Sequence, residues 1–88
     1  MEEYNISEVA KILNEWNPLG EEAANVPDLD GYRYESIDIL FHLESGKGKT
    51  SVESVLMQVL KEAFNIDLTK NDCSDAASKI LHVLSKKH

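Results

Sequence analysis

The sequence predicts an all-α protein: a single compact bundle of about four helices, with a long ordered loop between the first and the second. Three observations carry that expectation. Apolar residues recur at helical spacing in four separate segments; no period-2 alternation is long enough to build a sheet; and only two prolines and four glycines punctuate the 88 residues. A chain of this length buries roughly 60–65% of the surface that its unfolded form exposes. With 42% hydrophobic residues it has the composition of an ordinary globular domain, and residues 1–88 read as one unit.

The first helix is expected over about residues 5–16. Successive residues turn by about 100° around a helix, which places Ile6, Val9, Ala10, Ile12, Leu13 and Trp16 on one side and Glu8, Lys11, Asn14 and Glu15 on the other. Asn17-Pro18 ends it, because a residue before proline is pushed out of the α region, and Leu19-Gly20 completes a turn. From Gly20 to Gly31 no period is visible, and Val26-Pro27-Asp28-Leu29-Asp30-Gly31 carries the residue types of a turn. A connection this long within a compact domain is often functional.

The second helix is expected over about 32–44. Its apolar residues Tyr34, Ile37, Ile39, Leu40, Phe41 and Leu43 cover an arc of roughly 220°, wider than a simple surface helix shows, so the helix is expected to be central. Ser45 to Lys49 makes a flexible basic turn. The third helix, about 51–65, opens with Thr50-Ser51-Val52-Glu53, read as a capping box in which Thr50 caps and Glu53 reaches back. Val52, Val55, Leu56, Val59, Leu60, Ala63 and Phe64 form its inward stripe. The fourth, about 72–86, places Asp75 in a first turn where the helix dipole favours negative charge. Cys73, Ala76, Ala77, Ile80, Leu81, Val83 and Leu84 form its core face.

Several short motifs together resemble a known family. Ile12-Leu13-Asn14-Glu15-Trp16-Asn17-Pro18-Leu19-Gly20 is similar to the Trp-Asp-Pro-hydrophobic-Gly signature of the small bacterial family catalogued as domain of unknown function 1871. The likeness continues through Val26-Pro27-Asp28, Tyr34-Glu35, Ile37-Asp38-Ile39, the Ser51-to-Phe64 helix and Cys73 with Ala76 to Leu81. The chain departs from the family pattern at Asn17, where an acid is usual, and in carrying Asp30-Gly31 before its tyrosine. The resemblance implies a helical, cytoplasmic, bacterial domain and brings no established activity with it.

Charge and composition narrow the function classes. The net charge is −7, and it is uneven: residues 1–45 hold eleven acids against two bases, while residues 46–88 hold seven lysines against five acids. Nucleic-acid binding needs clustered cations to neutralise phosphates, so the acidic half argues against it. The single cysteine, Cys73, leaves no partner for an intrachain disulfide. Neither a signal peptide nor a membrane-spanning apolar run is expected, which points to the cytoplasm.

No catalytic constellation can be assembled. His42, His82 and His88 have no spacing relation to a serine or to Cys73 that a hydrolytic triad would require, and Cys73 shares an apolar helix face, as a buried and inert thiol does. Gly48-Lys49-Thr50 lacks the first glycine and the preceding strand of a phosphate loop. The protein is therefore expected not to be an enzyme and to need no cofactor or metal.

What remains is a protein-interaction module for a basic partner, regulatory or immunity-like, with the molecule itself a monomer or a homodimer. The candidate partner-binding residues are Trp16, Glu21, Glu22, Asp28, Asp30, Tyr32, Glu35, Asp38 and His42. Glu35, Asp38 and His42 fall within about 60° of one another on the second helix. Amphipathic aromatics beside charge are the residue types that anchor interfaces, although the phase of Trp16 also points its ring inward. Two alternatives use the same region. Glu35-Ser36-Ile37-Asp38 is similar to the modified serine of acidic acyl-carrier proteins, and the Glu35/Asp38/His42 set has the ligand types of a divalent-metal site in a helical bundle.

Overall fold

A computed structural model describes residues 2–26, 29–45 and 51–85. Helix α1 spans Glu3–Trp16 and turns Ile6, Val9 and Leu13 into the core. It stops because Asn17 adopts the left-handed conformation (φ 49°), with its N–H on the Leu13 carbonyl at 2.7 Å. Asparagine is among the few residues besides glycine that take this conformation readily. The Asn17 side chain then donates to the Gly20 carbonyl (3.1 Å) while the Gly20 N–H donates to the Asn17 carbonyl (2.9 Å), closing a tight turn around Pro18 and Leu19.

The expected long loop holds short turns of its own. Gly20–Asn25 is a 3-10 turn. Asp30–Tyr32 is a second turn, closed by the Tyr32 N–H on the Leu29 carbonyl at 2.9 Å. Its two central residues, Asp30 (φ 47°) and Gly31 (φ 62°), both lie in left-handed space, which is the type I′ pattern that Asp-Gly favours. Tyr32 follows at φ 64°, a costly conformation for an aromatic residue that is retained because its side chain is locked in place, as described below.

Helix α2, Arg33–Ser45, leads directly out of this turn. Helix α3 spans Val52–Phe64 and ends on a second left-handed asparagine, Asn65 (φ 56°), whose N–H reaches the Lys61 carbonyl at 2.8 Å. Its N-cap is Ser51, not Thr50 as the sequence suggested: the Ser51 Oγ accepts from the Ser54 N–H at 3.1 Å. Thr50 lies outside the described residues, and Glu53, only two positions past the cap, is one short of the place from which a capping-box side chain reaches back.

Helix α4, Lys70–Ser85, starts two residues earlier than expected. Its true capping box is Thr69-x-x-Asp72: the Asp72 N–H donates to Thr69 Oγ1 (3.1 Å) and the Thr69 N–H donates to Asp72 Oδ2 (2.9 Å). Asp75 consequently falls in the second turn and faces Lys79 at 3.4 Å.

The four helices form a closed ring in which α1 packs on α2, α2 on α3, α3 on α4 and α4 on α1. Val9, Leu13, Ile39, Leu40, Leu56, Leu60, Cys73 and Ile80 are fully enclosed at its centre, and Trp16 packs against that core half-buried. The architecture is all-α, with no strand among the described residues, and no described helix is long and apolar enough to cross a membrane.

Several residues assigned to the core face are instead at the surface. Tyr34 is 61% exposed and Phe41 60%, because a helix touching two neighbours cannot bury an apolar arc as wide as that of α2. Leu81, on the flank of α4, is also exposed, as is Ala63 in the last turn of α3.

Candidate functional site

The start of α2 is fixed against both ends of α1. Arg33 forms a two-pronged pair with Glu3, Nη1 to Oε2 at 2.9 Å and Nη2 to Oε1 at 2.6 Å, and the guanidinium holds the Glu3 carboxyl below its ordinary value, chiefly through its hydrogen bond. The preceding residue, Tyr32, reaches the other end: its hydroxyl donates to Asn17 Oδ1 at 2.7 Å and accepts from the Leu19 N–H at 3.4 Å. Its ring is 1% exposed and meets Phe64 edge-on at 6.2 Å. Burial, with the charge of Glu35 behind it, pushes the phenol upward. Tyr32 therefore cannot be the surface anchor that its place beside an acidic loop suggested. It is a core residue whose polar tip latches the Asn17–Gly20 turn.

Two acids of the loop line separate hollows. Glu22 lines a groove with Leu19, Val26, Phe64 and Ile66, and its neighbour Glu21 is exposed on the same turn. Asp30 lines a different hollow, across from Lys11 and beside Arg33, so its surroundings are of mixed sign. Asp28 lies outside the described residues.

The expected stripe on α2 also divides. Asp38 and His42 are exposed, but Glu35 is half-buried and its Oε1 is enclosed with no hydrogen-bond partner among the described residues. Burial raises its pKa, and Asp38, one turn along the helix, raises it further. A carboxyl placed this way is a poor surface contact. No group of three His, Cys, Asp or Glu side chains suited to a metal ion occurs among the described residues, which removes the observation on which the metal alternative depended.

Ser36 is fully buried, and its Oγ donates to the Tyr32 carbonyl at 2.7 Å. A serine that must accept a bulky prosthetic group has to be accessible, so the carrier-protein alternative loses its residue. Cys73 is likewise enclosed, and burial, with Asp72 and Glu53 adding to it, pushes its thiol up to about 11. Little thiolate exists at neutral pH under those conditions, and nucleophilic chemistry needs the thiolate.

What α2 does present is a ridge that sequence reasoning placed inside. Tyr34 and Phe41 are seven residues apart and so share one line along the helix, about 10.5 Å from end to end. Asp38 is exposed between them in sequence, and the Phe41 and His42 rings meet edge-on at 6.0 Å. The wide apolar arc, read from the sequence as the mark of a central helix, is wide enough that Tyr34 and Phe41 remain more than half exposed. Compared with known proteins, the chain matches no family model, no curated protein and no solved structure.

Proposed function

We propose that this protein is a non-catalytic interaction module whose docking face is the outer ridge of α2, and that its partner is a basic protein. The observation that carries this reading is the exposure of Tyr34 and Phe41 on one two-turn line, each about three-fifths open to solvent. Exposed aromatics in register are the residue types that dominate binding energy at interfaces. Asp38 on the same side of the helix as the two rings favours a partner whose contacting surface is basic. Of the residues named from sequence, Asp38 and His42 remain in the proposed face; Trp16 and Tyr32 serve the fold. The role that fits is regulatory or immunity-like: a basic protein is held, or its active surface covered. The likeness of the Trp16–Gly20 segment and its companions to a bacterial family without assigned activity is compatible with this reading.

The test is affinity capture on immobilised wild-type protein and on a Tyr34→Ala/Phe41→Ala variant, with recovered proteins identified by mass spectrometry. A basic protein is expected to be retained by the wild type and reduced at least about tenfold on the variant, since two truncated anchors cost about 1.4 kcal/mol or more together. Both side chains are mainly exposed, so the melting temperature should be nearly unchanged. Equal recovery on the two proteins would refute the assignment of this face.

A further inference from the structure

A second apolar surface lies on the outer side of α3. There a cleft of about 340 Å³ opens between α3 and the connection to α4. Half-buried Met57, Ile66 and Leu68 form its floor, and exposed Lys61 and Lys70 stand at its rim. Lys61 pairs with Asp67 at 2.8 Å, an exposed contact of the kind that exchanges partners at little cost. Lys70 forms no ion pair among the described residues.

The ridge on α2 and this cleft match in three respects. The first is length: the α3 wall runs from Ser54 to Lys61, seven residues or about 10.5 Å, equal to the span from Tyr34 to Phe41. The second is character, because the ridge offers two rings and the cleft offers a methionine and two branched aliphatics. Methionine adapts its shape to aromatic groups and makes favourable sulfur–ring contacts. The third is charge, since Asp38 accompanies the ridge and lysines border the cleft.

We propose that the α2 ridge of one copy docks in the α3/α4 cleft of a second copy, with Asp38 meeting Lys70. This rests on the reading of α2 as a docking face and identifies one occupant for it. The two patches are different surfaces of the same molecule, so the contact is head-to-tail: each pairing leaves an open ridge at one end and an open cleft at the other, and association continues until a ring closes. Covering what remains exposed of two aromatic side chains and an equal area of cleft removes on the order of 500 Å². That is well below the roughly 1,200 Å² of stable complexes, so the association is weak and reversible.

Sedimentation equilibrium of the full chain from about 10 μM to about 1 mM, the upper limit corresponding to about −4 kcal/mol of association, provides the test. Wild type is expected to gain mass with concentration. Tyr34→Ala/Phe41→Ala, which removes the ridge, and Gln58→Glu/Lys70→Glu, which spoils the cleft, should each remain monomeric. All four positions are exposed, and an acid at the first residue of α4 complements the helix dipole, so circular dichroism should show both variants folded. Mixed one to one, the two variants should form a dimer and nothing larger, because only one intact ridge and one intact cleft are present per pair. A wild type that stays monomeric to about 1 mM overturns the proposal. So does association that survives the cleft variant, which would mean ridge-to-ridge pairing. Capture of a basic partner by the cleft variant, whose ridge is intact, reports on the α2 docking face independently of either result.

Discussion

Burial of the Glu35 carboxyl works against the fold, and replacing it with glutamine isolates that effect. Its Oε1 is enclosed without a hydrogen-bond partner among the described residues, and burial together with Asp38 raises its pKa. The direction of the pH effect follows from linkage. Below the carboxyl's unfolded-state value both states are protonated, and the favourable burial of the neutral acid is fully present. As pH rises through the raised folded-state value that stability is lost, and at neutral pH the native state carries the cost of an ionised group partly shielded from water, offset in part by a backbone hydrogen bond at Glu35. Glutamine has nearly the same shape and no charge to ionise. A charge held partly away from water costs more than a neutral amide in the same place, and because Glu35 is only partly enclosed the difference is small, about 1 kcal/mol. Glu35→Gln should therefore stabilise the protein by about 1 kcal/mol at pH 8, a rise of roughly 4–8 °C in melting temperature for a chain of this size. The gain should fade to nothing near pH 4. Thermal unfolding followed by circular dichroism at several pH values reads both features. A variant less stable than wild type at pH 8, or a gain that does not change with pH, would show that Glu35 is held by a favourable partner and would refute the reasoning.

Two further outcomes test the fold's polar fastenings. Tyr32→Phe keeps the buried ring and removes only the hydroxyl between Asn17 and Leu19; it should cost about 1 kcal/mol, seen as a lower urea midpoint with an unchanged slope. Thr69→Ala breaks the capping box that starts α4 and should also cost about 1 kcal/mol, with earlier hydrogen exchange confined to the first turn of that helix.

Apolar spacing was enough to locate all four helices, because a face at helical period has one way to be buried. The ends depended on finer chemistry. Asn17 closes α1 where Pro18 had already marked a stop, whereas Thr69 and Asp72 open α4 in a segment whose polar residues resembled a loop. Burial was harder to infer for Tyr34 and Phe41 than for Ile39 and Leu40. All four are apolar residues of one helix, and only the positions of α1 and α3 decide which of them are covered. Tyr32 was misassigned for the opposite reason: an aromatic residue after Asp-Gly is accessible unless a distant turn supplies a partner for its hydroxyl, and that partner lies fifteen residues earlier in the chain. Ser36 and Glu35 differ in burial because adjacent residues point about 100° apart on a helix, and Ser36 shares its direction with the enclosed Ile39 and Leu40.

The adjacent residues Tyr32 and Arg33 act on α1 like the jaws of a caliper, one closing on Asn17 and the other on Glu3. An inserted or deleted residue within α1 would move its ends relative to each other by about 1.5 Å and rotate them by about 100°, so both jaws could not close at once. The length of the first helix is thereby fixed by the turn that precedes the second, whereas the connection from Asn65 to Thr69 is held to α3 by the exposed Lys61–Asp67 pair. Drift in chain length among descendants of this sequence should accumulate in the later connection and spare the first helix.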